Sequence, residues 1–106
     1  MTIITSTTSE IPGKQVKQIL GIVRGNTVRT KHIGKDFMAS LKTIVGGEIK
    51  SYTDMLSQSR DEAYNRMVNE AIALKADAVV NVRFMTSAVM QQAAEILCYG
   101  TAIKFK

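Results

Sequence analysis

The chain has 106 residues, of which 45% are apolar and 22% charged, a balance that predicts one soluble globular domain and excludes a disordered chain. Its formal net charge is +5, and no apolar run approaches the ~20 residues of a membrane-spanning helix. Because Cys98 is the only cysteine, an internal disulfide is excluded. The start of the chain lacks a signal-peptide pattern, so we expect a reducing, cytoplasmic setting.

Positive charge is concentrated in one part of the chain. Residues 14–42 hold seven Lys or Arg residues against Asp36 alone, whereas residues 43–106 hold equal numbers of cations and anions. Such a segment permits an anionic partner, although a solvated basic face is the commoner role.

The N-terminal part is predicted to form strands. Residues 2–5 are β-branched and suit a short edge strand, and residues 10–13 predict a turn because Pro12 fixes φ and Gly13 accepts positive φ. Residues 16–24 alternate, with apolar groups on both faces. The pair at residues 25–26, Gly-Asn, predicts a hairpin turn before a further strand over residues 27–30.

Two helices are predicted next. Apolar residues recur every three or four positions over residues 33–45, which predicts a short amphipathic helix ended by the glycines at 46–47. Residues 51–54 have the spacing of a capping box and predict the start of a long helix. That helix should end near Lys75.

Two more predicted strands, residues 78–85 and 96–105, complete the chain. Residues 86–94 between them are predicted to begin as strand and end as an irregular loop. We expect Arg83 and Glu95 to form a cross-strand ion pair, the alternative being a pocket that they line with Asn81 and Tyr99.

This order of elements predicts an α+β domain with an antiparallel or mixed sheet and one short and one long helix on one face. Since one helical layer covers one face, apolar groups on the other would be exposed in a monomer; strict alternation assigns Ile19, Val23, Val79 and Met85 to it. Exposed apolar patches usually mark an interface, so we expect a homo-oligomer.

Five segments together resemble the YbjQ family of small bacterial and archaeal proteins: IPGK, LGIVRGNTVRTKHIGKD, IVGGEIKSYTDML, ADAVVNVRF and MQQAAEILCYGTAI. They run in order from residue 11 to residue 103. The resemblance implies one YbjQ-like domain over residues 1–106, with a dodecin-like subunit that assembles into a ring, expected to be a pentamer. The family is commonly described as heavy-metal-binding, without an established ligand or reaction. Lys75 stands where such sequences often have Gly.

A metal site built from one chain lacks soft ligands. His32 and Cys98 are the only residues of their types, and a structural zinc site typically uses four ligands. A transition metal ion could therefore bind His32 only if a ring brought several copies together. Otherwise we expect His32 to be hydrogen-bonded before a helix and Cys98 to be a small buried residue.

An anion site is the other candidate in the basic segment. Gly34 lies at the predicted start of the short helix, where backbone N–H groups are free, and Arg29, Lys31 and Lys35 surround it. A phosphate or carboxylate could bind there, although a solvated or interface-facing turn explains the same residues. The spacing matches neither a P-loop nor a dinucleotide fingerprint.

These patterns favour a non-catalytic binding protein. No nucleophile motif or paired carboxylates occur, and the low aromatic content, without Trp, argues against nucleic acid as a partner. We therefore expect a homo-oligomer that binds a metal ion or another small ligand. Anion binding without metal and a structural or regulatory assembly are the alternatives, and an enzyme ranks third.

Overall fold

The computed structural model describes residues 3–30, 45–90 and 93–106. It contains four strands and one helix in these residues: β1 (Ile4–Thr5), β2 (Val16–Thr30), α1 (Val45–Ala73), β3 (Ala78–Met90) and β4 (Ala93–Phe105). The strands form one sheet in the order β1-β3-β4-β2, in which β1 and β3 are parallel and the other neighbours antiparallel. The prediction of an α+β fold with a mixed sheet is confirmed.

The predicted turn before β2 is present. The N–H of Lys14 donates to the carbonyl of Ile11 at 3.1 Å, and Gly13 has a φ of +79°. Pro12 precedes that glycine, as this turn type favours.

The start of α1 differs from the prediction. Residues 46–47 and 51–54 all lie within α1, so the predicted break between two helices is absent there. Glycine lowers the propensity for helix without excluding it, and the predicted helix end at this pair of glycines is wrong. The predicted short helix falls chiefly on residues 31–44, which lie outside the described residues.

The end of α1 agrees with the prediction, and Lys75 takes the place that glycine usually holds there. Lys75 has a φ of +63°, and its N–H donates to the carbonyl of Ile72 at 2.9 Å. The N–H of Ala76 donates to the carbonyl of Ala71 at 3.0 Å. These two bonds define a Schellman motif with a lysine in the left-handed position.

β2 continues through the predicted hairpin turn, so that prediction is wrong. Gly25 and Asn26 pair with Cys98 and Leu97 of β4. A Cβ on Gly25 would lie 2.2 Å from the carbonyl oxygen of Ala63 in α1. The glycine is therefore required by the close approach of the helix backbone, and not by a reversal of the chain.

Two irregularities change which side chains face α1. Gly21, with a φ of +133°, accompanies a register shift in β2, and Asn81, with a φ of +54°, accompanies one in β3. Such bulges reverse the alternation of a strand. Val23 and Val79 therefore lie in the core beside α1, whereas strict alternation placed them on the opposite face.

The hairpin of β3 and β4 is longer than predicted. Pairing continues through Ser87 with Glu95 and as far as Met90 with Ala93. The predicted irregular part of residues 86–94 is therefore strand except at residues 91–92, which lie outside the described residues.

The main core lies between α1 and the face of the sheet toward it, which we call the inner face. Helix α1 packs chiefly on β2, less on β4 and little on β3. The buried core residues include Val23, Ala63, Met67, Val79, Ile96 and Cys98. A smaller cluster of Ala78, Val80 and Ile103 lies on the opposite, outer face.

The molecule is elongated. Its extents are 57 × 24 × 22 Å and its radius of gyration is 17.4 Å, compared with about 13 Å for a compact domain of this length. The three long strands have 13 to 15 residues, and α1 has 29.

Candidate functional site

Large apolar side chains are exposed on the outer face of the sheet. Ile22 is 74% exposed, Val28 55% and Met85 54%, and they come from β2 and β3. Ile19, at 67%, extends the exposed apolar surface along β2. Of the groups predicted for a second apolar face, Ile19 and Met85 are thus confirmed as exposed.

Two edges of the sheet are open within the described part of the chain. β2 is the last strand on one side, and no described strand pairs with its outer edge. On the other side β1 covers only the first residues of β3, and the segment after β1 bonds as far as Val82. From Phe84 onward β3 has no described neighbour on that side. Unpaired edges of this length are templates for pairing with another chain.

A row of three polar side chains crosses the outer face. Tyr99 of β4 lies opposite Arg24 of β2 on one side and opposite Arg83 of β3 on the other. Both arginines are exposed, and Tyr99 is 37% exposed. Directly opposite residues have Cβ atoms about 4.5–5.5 Å apart, so the three side chains leave the sheet next to one another.

The predicted ion pair between Arg83 and Glu95 is absent. One guanidinium nitrogen of Arg83 donates to the backbone carbonyls of Thr7 at 2.8 Å and Val82 at 2.9 Å. Glu95 lies four residues along β4 from the partner of Arg83 and accepts a hydrogen bond from Asn26 at 3.1 Å. The pairing register of β3 and β4 keeps Arg83 and Glu95 apart. The alternation of residues within each strand does not determine that register.

Arg29, one of the residues predicted to bind an anion, faces α1. Its Nε donates to the hydroxyl of Ser59 at 2.8 Å, and its guanidinium pairs with Glu62. Arg66 also pairs with Glu62, at 2.8 Å, as an i,i+4 pair on the helix. Arg29 would have to leave Glu62 to bind an anion. The other predicted anion ligands, Lys31, Gly34 and Lys35, lie outside the described residues.

The donors available to a heavy metal ion do not form a site in the described residues. No group of three or more His, Cys, Asp or Glu side chains comes together among them. His32, the predicted metal ligand, lies outside them. Cys98 is fully buried, as predicted, with its Sγ 3.6 Å from the Sδ of Met67. Burial raises the pKa of its thiol from 9.0 to about 11, which disfavours the thiolate that a metal requires.

A pocket of about 690 Å³ lies beside the smaller cluster. It is lined by the segment from Thr8 to Val16 together with Ile103 and Phe105. The ammonium group of Lys14 lies 5.6 Å from the centre of the Phe105 ring. The sequence indicated only the turn at its rim, because the pocket depends on how that turn lies over β4.

The YbjQ family model, described as "Putative heavy-metal-binding", matches residues 3–106. The chain belongs to the YbjQ family. Relatives named "UPF0145 protein" include one from Archaeoglobus fulgidus, 60% identical over 98% of this chain and 96% of that protein. Another, from Thermosipho melanesiensis, is 58% identical over 95% of this chain and 94% of that protein.

A solved structure from Pediococcus pentosaceus has the same fold. It is described as a protein of unknown function in the DUF74 family, and it matches with a TM-score of 0.66 at 18% identity, over 98% of both chains. At that identity the likeness concerns the fold alone. In the described part of this YbjQ family member, no helix has the length and apolar character to cross a membrane.

Proposed function

We propose that this YbjQ family member is a non-catalytic binding protein that works as a homo-oligomer, with a small charged ligand held where subunits meet. The observation that carries the proposal is the exposure of Ile22, Val28 and Met85 on a sheet face that α1 does not cover. Surfaces of this kind are rarely left in contact with water unless a partner covers them.

A second copy of the chain is the occupant that the geometry favours. The open edges belong to different strands, β2 and β3, so a contact between them joins two different surfaces. Repetition of such a contact closes into a ring when the rotation allows it. Such open edges support a dodecin-like subunit that forms a ring, with a pentamer as the expected size. We place the protein in a reducing, cytoplasmic setting, where Cys98 stays a free thiol.

Replacement of one exposed side chain tests the assembly. Ile22→Glu places a carboxylate in the proposed interface and should lower the sedimentation coefficient to that of a smaller species, with little effect on the far-UV spectrum because Ile22 is 74% exposed. Leu74→Glu is the matched control, since Leu74 is 44% exposed at the end of α1. Equal sedimentation of the wild type and Ile22→Glu would count against the proposed interface.

A heavy metal ion is one candidate for the small charged ligand, and the description of the family favours it. The hypothesis depends on His32 contributed by several subunits, because the described residues offer no other donor set. Elemental analysis of the purified oligomer should then find bound transition metal that His32→Ala loses and Cys98→Ala keeps. An oligomer that is free of metal after reconstitution with zinc, copper or nickel would exclude this candidate.

A further inference from the structure

The pocket of about 690 Å³ beside the smaller cluster is large enough for a small organic molecule, since ligand pockets in proteins span about 300–1,000 Å³. Part of its lining is apolar. Ile103 is 2% exposed, and Ile11 and Phe105 pack against the cluster to which it belongs. Val16, which also lines the pocket, is 44% exposed, so the pocket offers apolar area that a ligand can cover.

The segment that lines the pocket is tied to the rest of the chain near both of its ends. The N–H of Asn81, the residue with positive φ in β3, donates to the carbonyl of Thr8 at 3.0 Å. The N–H of Lys106 donates to the carbonyl of Gln15 at 2.9 Å. Between these points the hydroxyl of Thr8 donates to the carbonyl of Glu10 at 2.7 Å. All these bonds form within one chain, so the pocket is preformed and little loss of entropy opposes binding.

Lys14 supplies a positive charge to the pocket. Its ammonium group lies 5.6 Å from the centre of the Phe105 ring, which is within the range of a cation–π contact, and both residues line the pocket. The ion pairs formed among the described residues both involve Glu62, so Lys14 has no carboxylate partner among them. The carboxylate of Asp77 accepts a hydrogen bond from the N–H of Phe105 at 2.8 Å and forms no ion pair with Lys14. The ammonium group is therefore available to an external anion.

We infer that this pocket binds a small monocarboxylate with an apolar body, such as a branched-chain acid. The carboxylate pairs with Lys14, and the apolar body covers Phe105 and Val16, so a charge-assisted hydrogen bond and the burial of apolar area both stabilise the complex. Glu10 also lines the pocket, and its negative charge disfavours a multivalent anion such as phosphate. The inference rests on the proposed binding function and names a ligand for it, in a pocket that borders the outer face.

Isothermal titration calorimetry of the full chain with isocaproate at neutral pH tests the inference. The wild type should bind one molecule per chain. Lys14→Gln should weaken binding by about tenfold or more, because it removes the charge that pairs with the carboxylate. Lys17→Gln is the matched control, since Lys17 is an exposed lysine of β2 that does not line the pocket, and it should bind as the wild type does.

Three further compounds identify the chemistry that the pocket recognises. Isocaproamide keeps the apolar body without the charge, and acetate keeps the charge without the apolar body, so both should bind much more weakly than isocaproate. Leucine adds an ammonium group beside the carboxylate. Binding of leucine as tight as that of isocaproate supports an amino acid as the source of the carboxylate, and weaker binding supports an acid without that group.

Equal binding of isocaproate to the wild type and Lys14→Gln would overturn the inference, as would the lack of saturable binding to the wild type. Light scattering on the same samples separates this result from the proposed function. An oligomer that does not bind isocaproate would overturn the inference and leave the proposed assembly intact. A monomer that binds it would overturn the proposed assembly and support the pocket.

Discussion

Gly25 sets the distance between α1 and the sheet. The helix crosses β2 so closely that a Cβ on this residue would overlap the carbonyl oxygen of Ala63 at 2.2 Å. Backbone atoms cannot rotate away as a flexible side chain does, so the helix itself would have to move. Because Met67 and Cys98 meet in the same core, such a movement would also loosen their packing.

Gly25→Ala should therefore lower the free energy of unfolding by about 3 kcal/mol or more, at the upper end of the cost of overpacking. Gly13→Ala is the control. Gly13 has a positive φ but no atom within 4 Å of an added Cβ, so only the backbone strain of about 1–2 kcal/mol applies. Urea denaturation measures both values. A smaller loss for Gly25→Ala than for Gly13→Ala would show that α1 does not pack on this residue.

The burial of Cys98 predicts a dependence of stability on pH. The pKa of its thiol is raised from 9.0 to about 11, so the folded state keeps the proton that the unfolded state releases. Its contribution to stability is thus complete below about pH 9 and is lost as the pH rises to about 11, a difference of about 2–3 kcal/mol. Urea denaturation at pH 8 and pH 10.5 should show a smaller decline for Cys98→Ala than for the wild type. Equal declines would contradict a buried thiol.

At the scale of elements, the sequence correctly predicted the features that depend on neighbouring residues. The turn around Pro12 and Gly13 and the end of α1 follow from residues adjacent in sequence. The bulges at Gly21 and Asn81 and the glycine under α1 depend on residues distant in the chain, so a local pattern misassigned them. For the same reason the row across the outer face was not predicted, although Arg83 and Tyr99 were both noted as polar groups.

The Schellman motif at the end of α1 predicts that a glycine at position 75 would stabilise the protein. Lys75 holds a φ of +63°, which costs a side chain with a Cβ more than it costs glycine. Lys75→Gly should raise the free energy of unfolding by about 0.5–1 kcal/mol. Lys75→Ala, which removes the charge but keeps the Cβ, should give no such gain. Thermal melts followed by circular dichroism compare the three proteins. A loss of stability in Lys75→Gly would show that the lysine side chain stabilises the helix end in another way.

At the scale of the whole molecule, association of subunits explains both the elongated shape of the chain and its exposed apolar side chains. The described chain spans 57 Å, with apolar groups such as Ile22 in contact with water. A chain of this length buries only a modest share of its surface as a monomer, so association is a direct way to complete the core. The family and the α+β fold could be predicted from the sequence. The surface proposed for the subunit contact could be located only from the arrangement of the sheet faces and edges in the structure.

The mass of the wild-type protein in solution is the most direct test of this account. Multi-angle light scattering in phosphate buffer should give a multiple of the 11.6 kDa chain mass, about 58 kDa for the expected five-membered ring. Ile22→Glu, measured in the same buffer, should give a lower mass. A wild-type mass of 11.6 kDa at every protein concentration would contradict the account.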